Sequence, residues 1–409
     1  MTTFFLFIRA KVIFAILYIV FYIFIFPWII LAIIFIRAFI KKKIDIGLGP
    51  EPMINNVYHK KALMTYGYSC ETFVNTVYFI TTEFDYRSDL AFYSKIPVLK
   101  IFRHIILFLR SIARYKCLYI YFNGGPLMAD FFLSKLESRL YKLSGTKIVV
   151  MPYGGDVYNM FNCNNLQLKH AMAADYPQYH KTNKKVQSQI MAWTKAADYV
   201  ISGCDWVDYM HHWDKLMIAH FSIDIERFEN LRTLEHQRRK FTSEKPLRIL
   251  HAPNHKTIKG TSYIQRAIDE LVSDGYPVEL IFLQKRPNQE IIEEISKADI
   301  VADQLVIGWY AMFALESMAL AKPVICYLRD DLINLYLFSG LLENKEEIPF
   351  LNSDVFGFKQ LIKDVLDEKI DLATSSRKSL EYVSKYHSIQ YVGKIFDEAN
   401  QMIGLNKKA

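Results

Sequence analysis

The sequence predicts an α/β protein of two domains behind a hydrophobic N-terminal segment, and three observations carry that expectation. Short apolar runs alternate with helix-patterned stretches along the body, a polar run interrupts them near the middle, and the first 43 residues differ in composition from the rest. At 409 residues the chain is too long for one ordinary core and long enough for two domains of about 150–200 residues each. Its 52% hydrophobic, 15% aromatic and 22% charged composition excludes disordered, collagen-like and low-complexity classes.

From Val12 to Ile36 there are 25 residues without a charge, rich in Ile, Phe, Leu and Tyr. A helix of that length reaches about 37 Å, enough for a hydrocarbon core of about 30 Å with some tilt. It is too long for a signal-peptide core, no small-residue cleavage site follows it, and apolarity on every face argues against a core helix. Residues 1–43 hold Arg9, Lys11, Arg37, Lys41, Lys42 and Lys43 and no acid, so they account for six of the formal net charge of +8. The other 366 residues have 44 basic and 42 acidic side chains, a near-neutral body with no nucleic-acid footprint. A membrane partner is therefore expected, and a nucleic-acid partner is not.

The Lys41–Lys43 cluster places the body on the cytoplasmic side by the positive-inside rule. Positive charge on both flanks, with Pro27 removing a backbone hydrogen bond and favouring a kink, also fits a helix that returns to the same face. A single span and a re-entrant anchor both remain open, and neither is a transport path. A second stretch, Leu99–Lys116, carries Lys100, Arg103, Arg110, Arg114 and Lys116 among apolar residues. It reads either as a helix lying on anionic lipid or as a core helix with a basic solvent face.

The body then reads in order as strand (Ile44–Leu48), helix (Asn55–Tyr66) and an apolar run near Thr72–Ile80. Buried strands are expected at Cys117–Phe122 and Lys147–Met151, each followed by a glycine pair, and again at Tyr199–Ser202 and Met217–Phe221. After the polar run Thr233–Lys245, taken as the linker, the rhythm repeats: strand Leu247–His251, helix Thr261–Ser273, strand Val278–Leu283, helix Gln289–Lys297, strand Ile300–Ala302, helix Ala311–Leu320, strand Val324–Leu328. Short apolar strands alternating with helices mean parallel sheets wrapped by helices. The expected organisation is an anchor over 1–43, a Rossmann-like domain over 44–235 and a second over 236–409, whose last helix packs back on the first. Ligands should bind in the cleft at the carboxyl ends of the strands.

The five cysteines are widely spaced with no C-x-x-C pair, and no H-E-x-x-H pattern occurs, so neither a disulfide framework nor a metal site is expected. No complete G-x-G-x-x-G follows a strand, which argues against a dinucleotide-dependent oxidoreductase.

The segment Arg248–Leu328 is the most informative. It opens RILHAPNHKTIKGTSYIQRAIDEL and closes ADIVADQLVIGWYAMFALESMALAKPVICYL. It resembles the donor-binding domain of retaining nucleotide-sugar glycosyltransferases of the GT-B fold, the group 1 or family 4 type. The resemblance rests on the unit around Lys259-Gly260 and on the Leu-Glu-x-Met-Ala-x-x-Lys-Pro-Val segment around Glu316. MPYGGDVY at Met151–Tyr158 resembles the family's His-Gly-x-Asp loop, and HFSIDIERF at His220–Phe228 the segment that ends the first domain.

The resemblance implies a donor site of Asn254, Lys256, Lys259, Gly260, Asp303, Gln304, Tyr310, Ala311 and Glu316, with Lys259 meeting the diphosphate more closely than Lys256. Fixed cations and helix N-terminal amides neutralise a leaving phosphate without a metal or cofactor. Glu316 would accept hydrogen bonds from the donor ribose, as an acceptor-only carboxylate can. Gly49, Glu51, Tyr153 and Gly154 fall on the acceptor side, and Asp156 with Glu316 are the candidate catalytic acids. A plain strand-to-helix turn explains Gly47–Pro52 equally well.

The sequence departs from the family at three places. Gly308 stands where the first of two glutamates separated by seven residues is usual, with Asp303 and Gln304 as possible substitutes. Trp309-Tyr310-Ala311 replaces the usual Gly-x-Gly, although Ala311 still presents its N–H. Tyr153 stands in place of the loop histidine. The implied activity is transfer from a nucleotide-diphosphate sugar to a lipid-linked or cell-surface glycan precursor. The alternative is a non-catalytic member that binds a nucleotide-sugar or scaffolds glycan assembly.

Overall fold

The computed structural model describes residues 2–78, 80–130, 133–232 and 240–407. The expected linker therefore lies partly outside the described residues (233–239), as does the boundary expected at 235/236. Two sheets flank that gap. The first joins β1 (Ile44–Leu48), β2 (Cys70–Val74), β3 (Tyr86–Arg87), β4 (Tyr115–Tyr121), β5 (Lys147–Met151), β6 (Tyr199–Ser202) and β7 (Lys215–Leu216) in the order β3-β2-β1-β4-β5-β6-β7. The second joins β8 (Leu247–His251), β9 (Val278–Phe282), β10 (Ile300–Gln304), β11 (Val324–Cys326) and β12 (Leu351–Asn352) in the order β12-β11-β10-β8-β9.

Every described strand pair is parallel. The inner strands are buried along nearly their whole length, which is why they appear in sequence as continuous apolar runs rather than alternating ones. Strand order reverses beside β1 and again beside β8. The loops leaving those strands, 49–54 and 252–260, thus open at the switch points where α/β sheets bind ligands.

Three local expectations are corrected. Met217–Phe221 is not a strand: pairing with β6 stops at Leu216, and the segment runs on as an irregular buried stretch whose His220 and Phe221 pack on Trp206. The apolar run near Thr72–Ile80 is a strand only as far as Val74. Leu99–Lys116 is not one helix but a short turn over Pro97–Ile101, a helix over Arg103–Arg114 and the start of β4. In that helix Ile105, Leu107, Phe108 and Ile112 are buried, while Arg110 and Arg114 both pair with Glu71 and Lys116 pairs with Asp45 at 2.7 Å. Arg110, Arg114 and Lys116 are thus engaged by acids of the first sheet instead of facing lipid, while Lys100 and Arg103 take no part in those three pairs.

The C-terminal helix Ile389–Met402 returns across the molecule to the first sheet. Val392, Ile395 and Phe396 join the core built by Ile46, Leu48, Tyr119 and Val149. Tyr68 donates to Asp397 at 2.7 Å and Tyr119 to Asn400 at 2.9 Å, so the helix is held by polar as well as apolar contacts.

Candidate active site

A cleft of about 260 Å³ lies between the two sheets. Met53, Ile54, Asn55, Tyr153, Trp206 and Phe221 line it from the first domain. Asn254, Lys259, Lys285, Arg286, Asn288 and the Ala311–Glu316 turn line it from the second.

The second-domain wall is built from three strand ends. His251, the last residue of β8, is fully buried and bridges Ala302 O at 2.8 Å and Thr261 Oγ1 at 2.9 Å, which ties the 252–260 loop to β10 and to the following helix. Burial lowers its pKa to about 4, so the ring is a neutral brace. A single turn, Lys256–Lys259, follows and ends at Gly260, whose φ of +76° closes it in the left-handed region. The turn's first amides are already occupied: Thr257 and Ile258 donate to Asp175 of the first domain at 3.1 and 3.0 Å.

Lys259 lines the cleft and donates to Asp303 Oδ1 at 2.6 Å; the other oxygen of this buried carboxylate has no hydrogen-bond partner among the described residues. The strand end therefore holds a half-buried cation beside an under-satisfied buried carboxylate, and an incoming phosphate would compete for that ammonium. Lys256 is placed differently from the sequence expectation. It is outside the cleft lining, with its ammonium 5.5 Å from the centroid of the Phe282 ring.

Glu316 lies on the cleft wall, 3% exposed, on the helix Met312–Ala319. Asn288 reaches both its oxygens, at 3.0 and 3.1 Å, and Tyr58 of the first domain approaches at 3.5 Å. Burial pushes its pKa up to about 7 against the opposing pull of Asn288, Arg227 and Tyr58. A carboxylate poised near neutrality on a cleft wall is a group that an incoming hydroxyl can recruit.

Other expected residues fall elsewhere. Gln304 is fully buried. Its amide donates to Trp309 O and Tyr327 O while its oxygen accepts from Val306 and Ile307, so it braces the 304–310 loop and does not replace the missing glutamate. Asp303 is held at Lys259, outside the cleft lining. Tyr310 turns into the core, bonded to Tyr382 at 2.8 Å and His387 at 2.9 Å; only its neighbour Ala311 faces the cleft.

At Gly308, φ is +95° and an added Cβ would sit 2.6 Å from Arg329 Cδ. Arg329 in turn forks between Asp331 and Asp208 of the first domain. An ion pair thus fills the space in which a glutamate side chain would start.

On the first-domain wall, Asp156 does not reach the cleft. It is fully buried and accepts the N–H groups of Phe122, Tyr153 and Gly154 at 2.9–3.0 Å, which shapes the 151–156 loop and presents Tyr153. Burial raises its pKa to about 7 despite these bonds. Glu51, also raised by burial, takes Asn123 at 3.0 Å, and Asn123 donates to Tyr153 at 2.6 Å. Both residues stand behind Tyr153, out of the cleft lining. Gly49 is required by packing: its Cβ would fall 1.9 Å from Phe73 O. Gly154, φ +114°, backs onto the Trp206 ring.

Sequence reasoning missed Lys285, Arg286, Asn288 and Trp206. One signal existed for the first two, a Lys-Arg pair on the loop after a strand. Lys285 adopts φ +53°, an uncommon conformation for a lysine and one that recurs at ligand sites.

No family model matches the chain, and no characterised protein matches it by sequence. Solved structures do match in shape. Anabaena Alr3699/HepE in complex with UDP and glucose superposes with a TM-score of 0.56 at 11% identity, over 88% of this chain and 100% of that one. An alpha-glucosyltransferase in complex with UDP and a 13-mer DNA gives 0.55 at 10% identity, over 88% and 100%. Sucrose-phosphate synthase from Thermosynechococcus elongatus gives 0.55 at 12% identity, over 89% and 100%. Two parallel sheets facing across a cleft, over the full length of these neighbours, make this chain's fold that of the GT-B glycosyltransferases.

Proposed function

We propose that the chain is a glycosyltransferase that moves a sugar from a nucleotide-diphosphate sugar, with retention and without a metal, to a lipid-linked or cell-surface glycan precursor at the cytoplasmic face of a membrane. The observation that supports it most is the composition of the second-domain wall. Lys259, Lys285 and Arg286 stand in one cleft with Glu316, cations for a diphosphate and an acceptor for sugar hydroxyls. Two of the neighbours hold UDP in the same fold, which supports a uridine nucleotide as the first donor to try.

In this mechanism Lys259 shifts from Asp303 toward the leaving phosphate, Lys285 and Arg286 close on it from the opposite loop, and Glu316 exchanges Asn288 for ribose hydroxyls. Tyr153, braced by Asn123 and the Asp156-shaped loop, faces the acceptor. The hydrophobic N-terminal helix supports a lipid-linked acceptor, because it keeps the first domain beside lipid.

Gly308 and the Arg329–Asp208 pair favour one second reading, a nucleotide-sugar binder without transfer. Both readings are tested together in detergent-solubilised protein by nucleotide binding calorimetry and nucleoside diphosphate release over a donor panel. Glycosyl transfer requires release that Lys259→Ala and Glu316→Ala each abolish. Binding with no release across donors and membrane acceptors would establish the second reading, and release untouched by both substitutions would refute the donor site.

A further inference from the structure

The N-terminal helix Thr2–Phe39 is fastened to the first domain along its C-terminal part. Tyr22 donates to Asp130 at 2.5 Å, Arg37 to Leu143 O at 2.8 Å and, just past the helix, Lys42 to Thr146 at 2.7 Å. Between these points Ile29 and Ile33 are buried against the domain. From Tyr22 to Arg37 a helix covers about 22 Å. Hydrocarbon cannot surround that length without also enclosing the helix Glu137–Ser144 beside it, with its charged Arg139 and Lys142. The outer face is nonetheless lipid-like: Phe24, Trp28, Phe35 and Phe39 are 56–73% exposed.

A second apolar patch borders the same support. The helix Arg103–Arg114, on which the N-terminal helix packs, is preceded by Phe92, Val98 and Ile101, which are 64–72% exposed. Residues 90–103 contain Lys95, Lys100 and Arg103 and no acid, and Lys41, Lys95 and Lys100 are all exposed. Apolar side chains interleaved with cations match a leaflet with anionic headgroups.

We propose that the outer face of the N-terminal helix and the 90–101 segment form one docking surface for an anionic bilayer, on which the chain lies in plane instead of spanning the membrane over residues 12–36. This inference stands whether or not the chain transfers sugars. In-plane docking places Trp28 at headgroup depth and fixes the cleft at a set height above one leaflet.

The test uses the full chain with vesicles of phosphatidylcholine, alone or mixed with phosphatidylglycerol. Trp28 fluorescence, taken as wild type minus Trp28→Phe, should be quenched most by lipids brominated near the headgroup. The preference for anionic over neutral vesicles should fall about tenfold in Lys95→Gln/Lys100→Gln, and total binding should fall in Phe92→Ser/Ile101→Ser. The lysine variant is at exposed positions, so it reports even if the apolar variant folds poorly. Strongest quenching from the bilayer centre would mean a span. An unchanged anionic preference, or a soluble dimer that shields Trp28 without binding vesicles, would equally overturn the proposal.

Discussion

The two domains meet along two seams built to different standards. On one, Asn165 donates to Val306 O and Ile307 O at 2.8 and 3.0 Å, Trp309 to Ile218 O at 3.1 Å, Tyr336 to Cys204 O at 2.8 Å, and Arg329 to Asp208 at 2.6 Å, all buried or nearly so. On the other, along the cleft, Tyr58 reaches Glu316 only at 3.5 Å and the Asn288 amide reaches Ile80 O only at 3.4 Å. Bonds that long contribute little. The first seam fixes the relation between the domains. The second leaves the cleft wall free to exchange partners, as a ligand site must.

The largest expected effect tests that contrast. Arg329 and Asp208 are 7% and 6% exposed at their side chains, and Arg329→Ala would strand Asp208 in the interior. The unfolding free energy should drop by about 3–5 kcal/mol by denaturant titration, against less than about 1 kcal/mol for Tyr58→Phe on the cleft seam. Equal losses on both seams would remove the distinction. Gly308→Glu comes next. Placing a carboxylate there should not raise turnover, and it should cost about 2 kcal/mol or more, from a left-handed residue that now carries a Cβ and from collision with Arg329. A gain in transfer activity would show that the ion pair yields readily.

The same contrast explains what the sequence could show. The sheets were legible because buried parallel strands are nearly pure apolar runs, and Glu316 and Lys259 were legible because local motifs fix them on a helix and a turn. Gln304 and Tyr310 looked like ligand residues from their places at a strand end and before a helix. Their side chains instead brace the second half of the chain internally, through contacts with Trp309, Tyr382 and His387 that no local spacing reveals. Lys256 was separated from the cleft by the rotation of a single turn. Lys285-Arg286 and Trp206 come from two loops, one in each domain, brought together only by domain docking, so no single motif could contain them.

Lys285→Gln/Arg286→Gln should therefore weaken nucleoside diphosphate binding about tenfold by calorimetry while leaving Tm within a degree or so, because both positions serve the loose seam. An equal loss for uncharged nucleoside would assign them to the base or sugar instead of the diphosphate.

The smallest effect is also the most diagnostic, because it has opposite signs in two measurements. Glu316 has a pKa of about 7 in the folded chain against 4.5 for a free carboxylate. If the ionised form receives donor hydroxyls, nucleotide-sugar affinity should rise severalfold as pH climbs through about 7. Stability should move the other way. Between about 4.5 and about 7 the folded state keeps a proton that the unfolded chain has lost, so unfolding free energy falls as pH rises across that window. Glu316→Gln should flatten this component of both curves; what remains reads the other buried groups, among them Asp156 and Asp205, pushed up to about 7, Glu137, pushed up to about 8, and, with the opposite sign, the buried histidines His220, His251 and His387, lowered to about 4. Asn288→Ala removes a bond that favours the charged form, so it should move the binding midpoint to higher pH. A midpoint unmoved by Asn288→Ala would detach the titration from Glu316 and place it in the first-domain loops.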